Sequence, residues 1–274
     1  MTINCNGKLI SLDQPKVMGI LNVTPDSFFD GGKYKDESSI LHQVEKMLNE
    51  GATFIDIGAY SSRPGALEVD EATELKRITP IVSLILEKFP DTILSIDTFR
   101  SSVAKACIEK GAAIVNDISA GLQDENMLST VAKLNVPFIM MHMRGTPQNM
   151  QKQTDYEDIL KEILYFFSKR LLAAKALGIK DIIIDPGFGF AKNIAQNYEL
   201  LNQMEVMNII EHPILAGISR KSMIYKTLDT TADQALNGST ALHMICLQKG
   251  AKILRVHDVK EAMECVKLHE QLNA

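Results

Sequence analysis

Eight short apolar runs, each ending in polar residues and each followed by a longer stretch, constrain this chain more than any other feature of its sequence. They are Val17–Val23, Phe54–Ala59, Ile93–Thr98, Ile114–Ser119, Pro137–Met143, Asp181–Pro186, Pro213–Ser219 and Lys252–His257. Rich in Ile, Val and Met and apolar on both faces, they read as strands of a parallel sheet covered by helices. Among the stretches between them, Ser38–Glu50 leads into Gly51, Ser101–Lys110 into Gly111, Asp155–Leu177 into Gly178 and Ala232–Lys249 into Gly250. Each glycine falls where a left-handed C-terminal helix cap belongs. Lys110 and Lys249 precede two of them, complementing the helix dipole. Ile159, Ile163, Phe166, Phe167, Leu171 and Ala174 recur at helical spacing and are expected in the core.

Eight strand–helix units in a row predict a closed (β/α)8 TIM barrel, with a doubly wound open sheet as the alternative. The 274 residues suit one such barrel. With no linker, low-complexity segment or repeat to divide it, the chain is expected to form a single domain over 1–274. Ile3–Leu12, centred on Asn6-Gly7, predicts a short N-terminal β-hairpin that plugs the barrel bottom.

A content of 46% hydrophobic and 23% charged residues fits a globular chain with a large core. The formal net charge of -5 argues against a general nucleic-acid binder, while leaving room for a local cationic pocket. No apolar run approaches the ~20 residues of a membrane span. The start, Met1-Thr2-Ile3-Asn4, lacks the basic and apolar regions of a secretion signal. Cys5, Cys107, Cys246 and Cys265 form no C-x-x-C pair, and the last three, in helix-like apolar patterns, read as buried free thiols, which suits a reducing cytoplasm.

In a barrel of this kind chemistry sits at the C-terminal ends of the strands. Here those ends carry Asn22, Asp56, Asp97-Thr98, Asn116-Asp117, His142 with Arg144, Asp185, Ser219-Arg220-Lys221, and Arg255 with His257 and Asp258. Asp117, Ser101 and Asp258 read as helix caps, Asp258 with Glu261 resembling a capping box. A buried carboxylate costs several kcal/mol unless paired or hydrogen-bonded, so Asp56, Asp97 and Asp185 need partners. Either basic groups on neighbouring strands or a ligand rich in N–H donors would serve. Arg255 and His257 lie two apart on one strand, so both face the same side. With the helix start near Asp258 they form a candidate anion site. The plainer reading is that Arg255 only pairs with a neighbouring carboxylate.

These segments resemble the dihydropteroate synthases along nearly the whole chain. The resemblance rests on Leu21-Asn22-Val23-Thr24-Pro25-Asp26-Ser27-Phe28, Asp56-Ile57-Gly58, Ser62-Arg63-Pro64-Gly65, Ser95-Ile96-Asp97-Thr98 and Asn116-Asp117-Ile118-Ser119. It continues through Met141-His142-Met143-Arg144-Gly145, Asp185-Pro186-Gly187-Phe188-Gly189-Phe190, Gly217-Ile218-Ser219-Arg220-Lys221 and Arg255-Val256-His257-Asp258.

The resemblance implies condensation of 6-hydroxymethyl-7,8-dihydropterin diphosphate with p-aminobenzoate by a dissociative route, releasing pyrophosphate. It implies a pterin site of Asp97, Asn116, Met140, Asp185, Phe190 and Lys221, with core packing the alternative for Met140 and Phe190. It implies a diphosphate site of Asn22, Arg63, Arg255 and His257, with Mg2+ held through Asn22. An aminobenzoate site of Ser62, Arg63, Pro64, Phe190, Ser219 and Lys221 follows, partly on the loops Thr24–Phe28 and Ser61–Gly65; sulfonamides occupy that slot in family members. Asp97, Lys221, Arg255 and Asn22 would carry catalysis, in a homodimer.

The chain departs from the family pattern at Phe29, Ala59, Tyr60, Ser62 and Ala120. Two rivals are kept. One is a pterin-dependent methyltransferase, which would not need the Arg255 and His257 pair. The other is a non-catalytic pterin-binding barrel, which would be expected to have lost Asp97 or Lys221.

Overall fold

The computed structural model describes residues 1–23, 33–60 and 69–273. The N-terminal hairpin forms as expected: β1 (Thr2–Cys5) pairs antiparallel with β2 (Lys8–Ser11), Ile3 opposite Ile10. Asn6 and Gly7 turn it with φ of 52° and 85°, a conformation that Asn-Gly favours.

Eight parallel strands close a barrel in the order β3 (Lys16–Asn22), β4 (Phe54–Gly58), β5 (Ile93–Asp97), β6 (Ile114–Asp117), β7 (Phe138–Met141), β8 (Ile182–Asp185), β9 (Ile214–Ala216) and β10 (Ala251–Val256). The last strand returns to the first, with Arg255 opposite Met18, which excludes the open sheet. Around it lie α1 (Lys33–Asn49), α2 (Glu71–Lys88), α3 (Ser101–Ile108), α4 (Met127–Leu134), α5 (Ile159–Ala176), α6 (Ile194–Gln203), α7 (Ser222–Thr227), α8 (Leu236–Gln248) and α9 (Val259–Leu272). Gly51, Gly111, Gly178 and Gly250 follow four of them with φ between 86° and 108°, as their positions predict.

Several boundaries differ from expectation for local reasons. The helix expected from Asp155 begins at Ile159, because Asp158 caps it by accepting a hydrogen bond from Lys161 N at 3.0 Å. Asp117 is no helix cap: its carboxylate accepts from Ser119 N, Ser119 Oγ and Gly121 N and so closes the loop after β6. Ser101 caps nothing; its N–H donates to Asp124 Oδ2 at 2.7 Å. Asp258 occupies the N-cap position of α9 but makes no capping bond, since its two oxygens take Arg220 Nε and Nη2 at 2.7 and 2.8 Å.

Strand alternation divides the apolar residues into two layers. Leu21, Ile55, Ile57, Leu94, Ile96, Val115, Met140, Ile184 and Leu254 belong to the core shared with the helices. Met18, Phe54, Ile93, Ile114, Ile139, Ile183, Leu215 and Ile253 fill the barrel interior, together with Ile3, Cys5, Ile10 and Leu12 of the N-terminal segment. The hairpin thus seals the bottom, and polar side chains can face inward only at the top. All four cysteines are buried and unpaired. No described helix is long and apolar enough to cross a membrane.

Candidate active site

The register of the barrel builds the site. Asn22, Gly58, Asp97 and Asn116 lie side by side on four adjacent strands, on the same face as the interior residues Met18, Phe54, Ile93 and Ile114. Asp56 and Ser95 form the layer beneath, and both are fully buried. A Cβ at Gly58 would rest in contact with the Asp97 side chain, 3.4 Å from its Cβ.

Arg255 enters this layer from β10. Its Nε donates to Asp56 Oδ2 and its Nη2 to Asp97 Oδ2, both at 2.6 Å. Asn116 Nδ2 donates to the same Asp56 oxygen at 3.0 Å. Asp56 Oδ1 is buried with no hydrogen-bond partner among the described residues, as is Ser95 Oγ. Burial pushes the Asp97 carboxyl up to about 7, against the pull of Arg255. The expectation that Asp56 and Asp97 need partners therefore holds, and of the two kinds weighed it is a basic group, Arg255, that pairs with both. A guanidinium has five N–H donors, so this pairing leaves others for an anion.

Asp185 ends β8 across the mouth. Its Oδ1 accepts from Gly187 N at 2.7 Å, and burial raises its carboxyl while Lys221 opposes the shift. Lys221 Nζ donates to Phe188 O and lies 4.5 Å from the centre of the Phe190 ring. Burial lowers the Lys221 ammonium to about 8. Ser219 Oγ lies 3.1 Å from His257 Nδ1 and accepts from His257 N at 3.2 Å, tying the ends of β9 and β10 together. His257 itself is exposed at the rim. Acids that accept from N–H groups and cations that accept anions thus share one mouth.

Comparison with known proteins decides what kind of mouth this is. Residues 18–257 match the family model described as pterin binding enzyme. The chain is 45% identical to the dihydropteroate synthase of Haemophilus influenzae, covering 98% of each chain, and 39% identical to that of Escherichia coli, covering 98% of this chain and 96% of the other. A crystal structure of Yersinia pestis dihydropteroate synthase with a sulfonamide drug complex superposes with a TM-score of 0.93 at 42% identity, covering 100% of this chain and 99% of that one. Xanthomonas albilineans dihydropteroate synthase with 4-aminobenzoic acid superposes at 0.92 and 37%, covering 100% and 98%. The chain belongs to the dihydropteroate synthase family.

As a dihydropteroate synthase, the chain brings Asn22, Asp97, Asn116, Asp185, Phe190, Ser219, Lys221, Arg255 and His257 to the top of its barrel. Ser62, Arg63 and Pro64, with the loops Thr24–Phe28 and Ser61–Gly65 and the departure at Phe29, lie outside the described residues. Met140 is a correction. It stands opposite Asp117 and Ile184 on the outward face and belongs to the core under the helices. Its neighbour Met141 faces the mouth, opposite Asp185, in a buried cluster with Ile118, Met143, Met150 and Ala191 against which Phe190 packs. Counting alternate residues forward from Ile139, an interior residue, would have found it.

Sequence reasoning also left Asp56 outside the site, although it is the buried anchor of Arg255. Tyr60, a departure from the family pattern, is held by its neighbours: its hydroxyl accepts from Gln148 Nε2 at 3.0 Å and its ring meets Phe99 edge-on at 5.1 Å. Ala120 adopts φ 53°, a left-handed conformation in which the glycine usual in the family carries no penalty. Among the described residues no group of three His, Cys, Asp or Glu could hold a metal ion.

Proposed function

We propose that this chain condenses 6-hydroxymethyl-7,8-dihydropterin diphosphate with p-aminobenzoate, giving 7,8-dihydropteroate and pyrophosphate in folate biosynthesis. The carrying observation is that Asp185 and Asn116 share one inward-facing mouth with Arg255 and His257, in a family whose curated members bear that activity. Asp185 accepts from the pterin 2-amino group and ring N–H, a charge-assisted bidentate pair. Asn116 offers a donor and an acceptor to the same edge, and Lys221 donates to the carbonyl and N5 side. Met141, in place of Met140, packs on the ring with Phe190.

Arg255, His257 and Arg63 hold the diphosphate. The methylene carbon–oxygen bond breaks first, its electron pair leaving with pyrophosphate. The positive charge left on the dihydropterin faces Asp56 and Asp97, two carboxylates that share one guanidinium and together retain negative charge when both are ionised. The aniline nitrogen then forms the new bond and loses a proton. Ser219, Lys221 and Phe190, with Ser62, Arg63 and Pro64, receive the aminobenzoate. No covalent nucleophile is required.

Mg2+ fits this donor set. Asn22 presents one neutral amide oxygen at the end of β3, and magnesium commonly binds through few protein groups, waters and a diphosphate. When bound, it would offset charge on the departing pyrophosphate. We further propose a single pterin-binding barrel domain over 1–274, a homodimer, and a cytoplasmic location.

The test is to incubate the protein with the pterin diphosphate, p-aminobenzoate and Mg2+. Dihydropteroate and pyrophosphate should form in equal amounts. Methyl transfer from a methylated folate to a corrinoid, without condensation, would favour the methyltransferase reading.

A further inference from the structure

A second buried lysine lies beneath the turn that follows β8, and the chemistry above does not use it. Lys192 is 4% exposed. Its Nζ donates to Gly187 O at 2.9 Å and to Phe190 O at 3.0 Å, and lies 3.1 Å from His142 Nδ1. Among the described residues it enters no ion pair within 4.0 Å. An ammonium has three donors and no acceptor, and here three acceptors surround it. His142 must then be neutral, with its proton on Nε2. Its environment agrees: it is buried, and burial together with Lys192 and Arg144 holds its imidazolium well below the usual histidine range.

The turn that Lys192 grips is the one that carries the site. Gly187 N donates to Asp185 Oδ1, Phe190 N donates back to Gly187 O at 3.1 Å, and Lys221 donates to the Phe188 carbonyl between them. Gly187 has φ 70°, and a Cβ there would collide with the His142 carbonyl. Ala191, immediately before Lys192, sits at φ 48°, a left-handed conformation that is strained for an L-residue. Its carbonyl accepts from Tyr156 O–H at 2.9 Å. The strained path is held from both sides, by Tyr156 and by the lysine that follows.

We propose that Lys192 is a positioning residue of this active site: its ammonium ties the two ends of the Gly187–Phe190 turn to His142 and thereby sets the Phe190 ring and the Lys221 ammonium against which both substrates bind. This rests on the substrate placement proposed above. Burial lowers the Lys192 ammonium to about 7; Asp185 opposes that shift, while Lys221 and Arg144 add to it. His142, its nearest ring, is the neutral acceptor.

The test is steady-state kinetics of Lys192→Met beside the unaltered protein, with the KM of each substrate, kcat and melting temperature recorded. Formation of dihydropteroate by the unaltered protein first establishes, separately, the activity on which the inference rests. Folded Lys192→Met should raise both KM values by about tenfold or more while kcat falls less, the signature of lost binding geometry. KM values within twofold of the unaltered protein's would overturn the inference. Should Lys192→Met not fold, Lys192→Gln, a shorter neutral side chain that cannot reach all three acceptors, is measured in the same way. It too should raise both KM values about tenfold, and values within twofold of the unaltered protein's would refute the proposal.

Discussion

At the scale of single residues, the site is organised by one guanidinium between two acids. Asp56 is fully buried and Arg255 is its charged partner, so removing Arg255 strands a carboxylate in the interior. Breaking a buried pair in this way typically costs about 3–5 kcal/mol. Arg255→Met is therefore expected to lower unfolding stability in urea by about that amount, besides losing activity, whereas a purely surface diphosphate ligand would cost little stability. Asp97 makes a different prediction. If its charge matters mainly to the cation formed on bond breaking, Asp97→Asn should lower kcat far more than it weakens pterin binding; equal losses would remove that role. The pH dependence has a definite sign. Burial raises Asp97 from 3.8 to about 7, so turnover should fall as pH drops through about 7 and the carboxylate takes up its proton. The same shift acts oppositely on folding. The folded state keeps this proton to higher pH than the unfolded chain, so the stability it gives is full below 3.8 and lost as pH rises through about 7. Asp97→Asn should flatten that part of the stability profile.

At the scale of elements, strand alternation decides which residues can act. Met140 and Met141 are adjacent and similar, yet one lies under the helices and the other faces the mouth. Met140→Ala is expected to cost about 2–5 kcal/mol of stability with pterin affinity retained. Met141→Ala should weaken pterin binding, read by titration calorimetry, and an exchange of the two outcomes would show that the register is misassigned. The strands, the cap glycines and the Asn-Gly hairpin were legible because apolar periodicity and positive φ leave local marks. The start of α5 was less so, since capping depends on which acid reaches back to the backbone. Asp258 shows why: as a capping box it looks complete, but Arg220 from the loop after β9 claims its carboxylate. The pairing of Arg255 with both Asp56 and Asp97 could be anticipated only as an alternative, because it joins residues 199 and 158 positions apart. Lys192 left no sequence mark beyond an ordinary lysine after a glycine-rich turn.

At the scale of the whole molecule, the barrel has a sealed end and a working end. Leu12 is fully buried among the interior residues at the sealed end. Leu12→Ala should cost about 2–5 kcal/mol in denaturant unfolding and leave kcat/KM nearly unchanged under native conditions, because the polar layer lies at the opposite end. The working end holds the central claim, that one rim both reads the pterin and accepts its leaving group. A crystal structure of the protein with the pterin diphosphate and Mg2+ tests it most directly. The account predicts the pterin edge on Asp185 and Asn116, with the diphosphate of the same molecule against Arg255 and His257. A pterin bound outside the barrel mouth, or a diphosphate turned away from those two side chains, would contradict it.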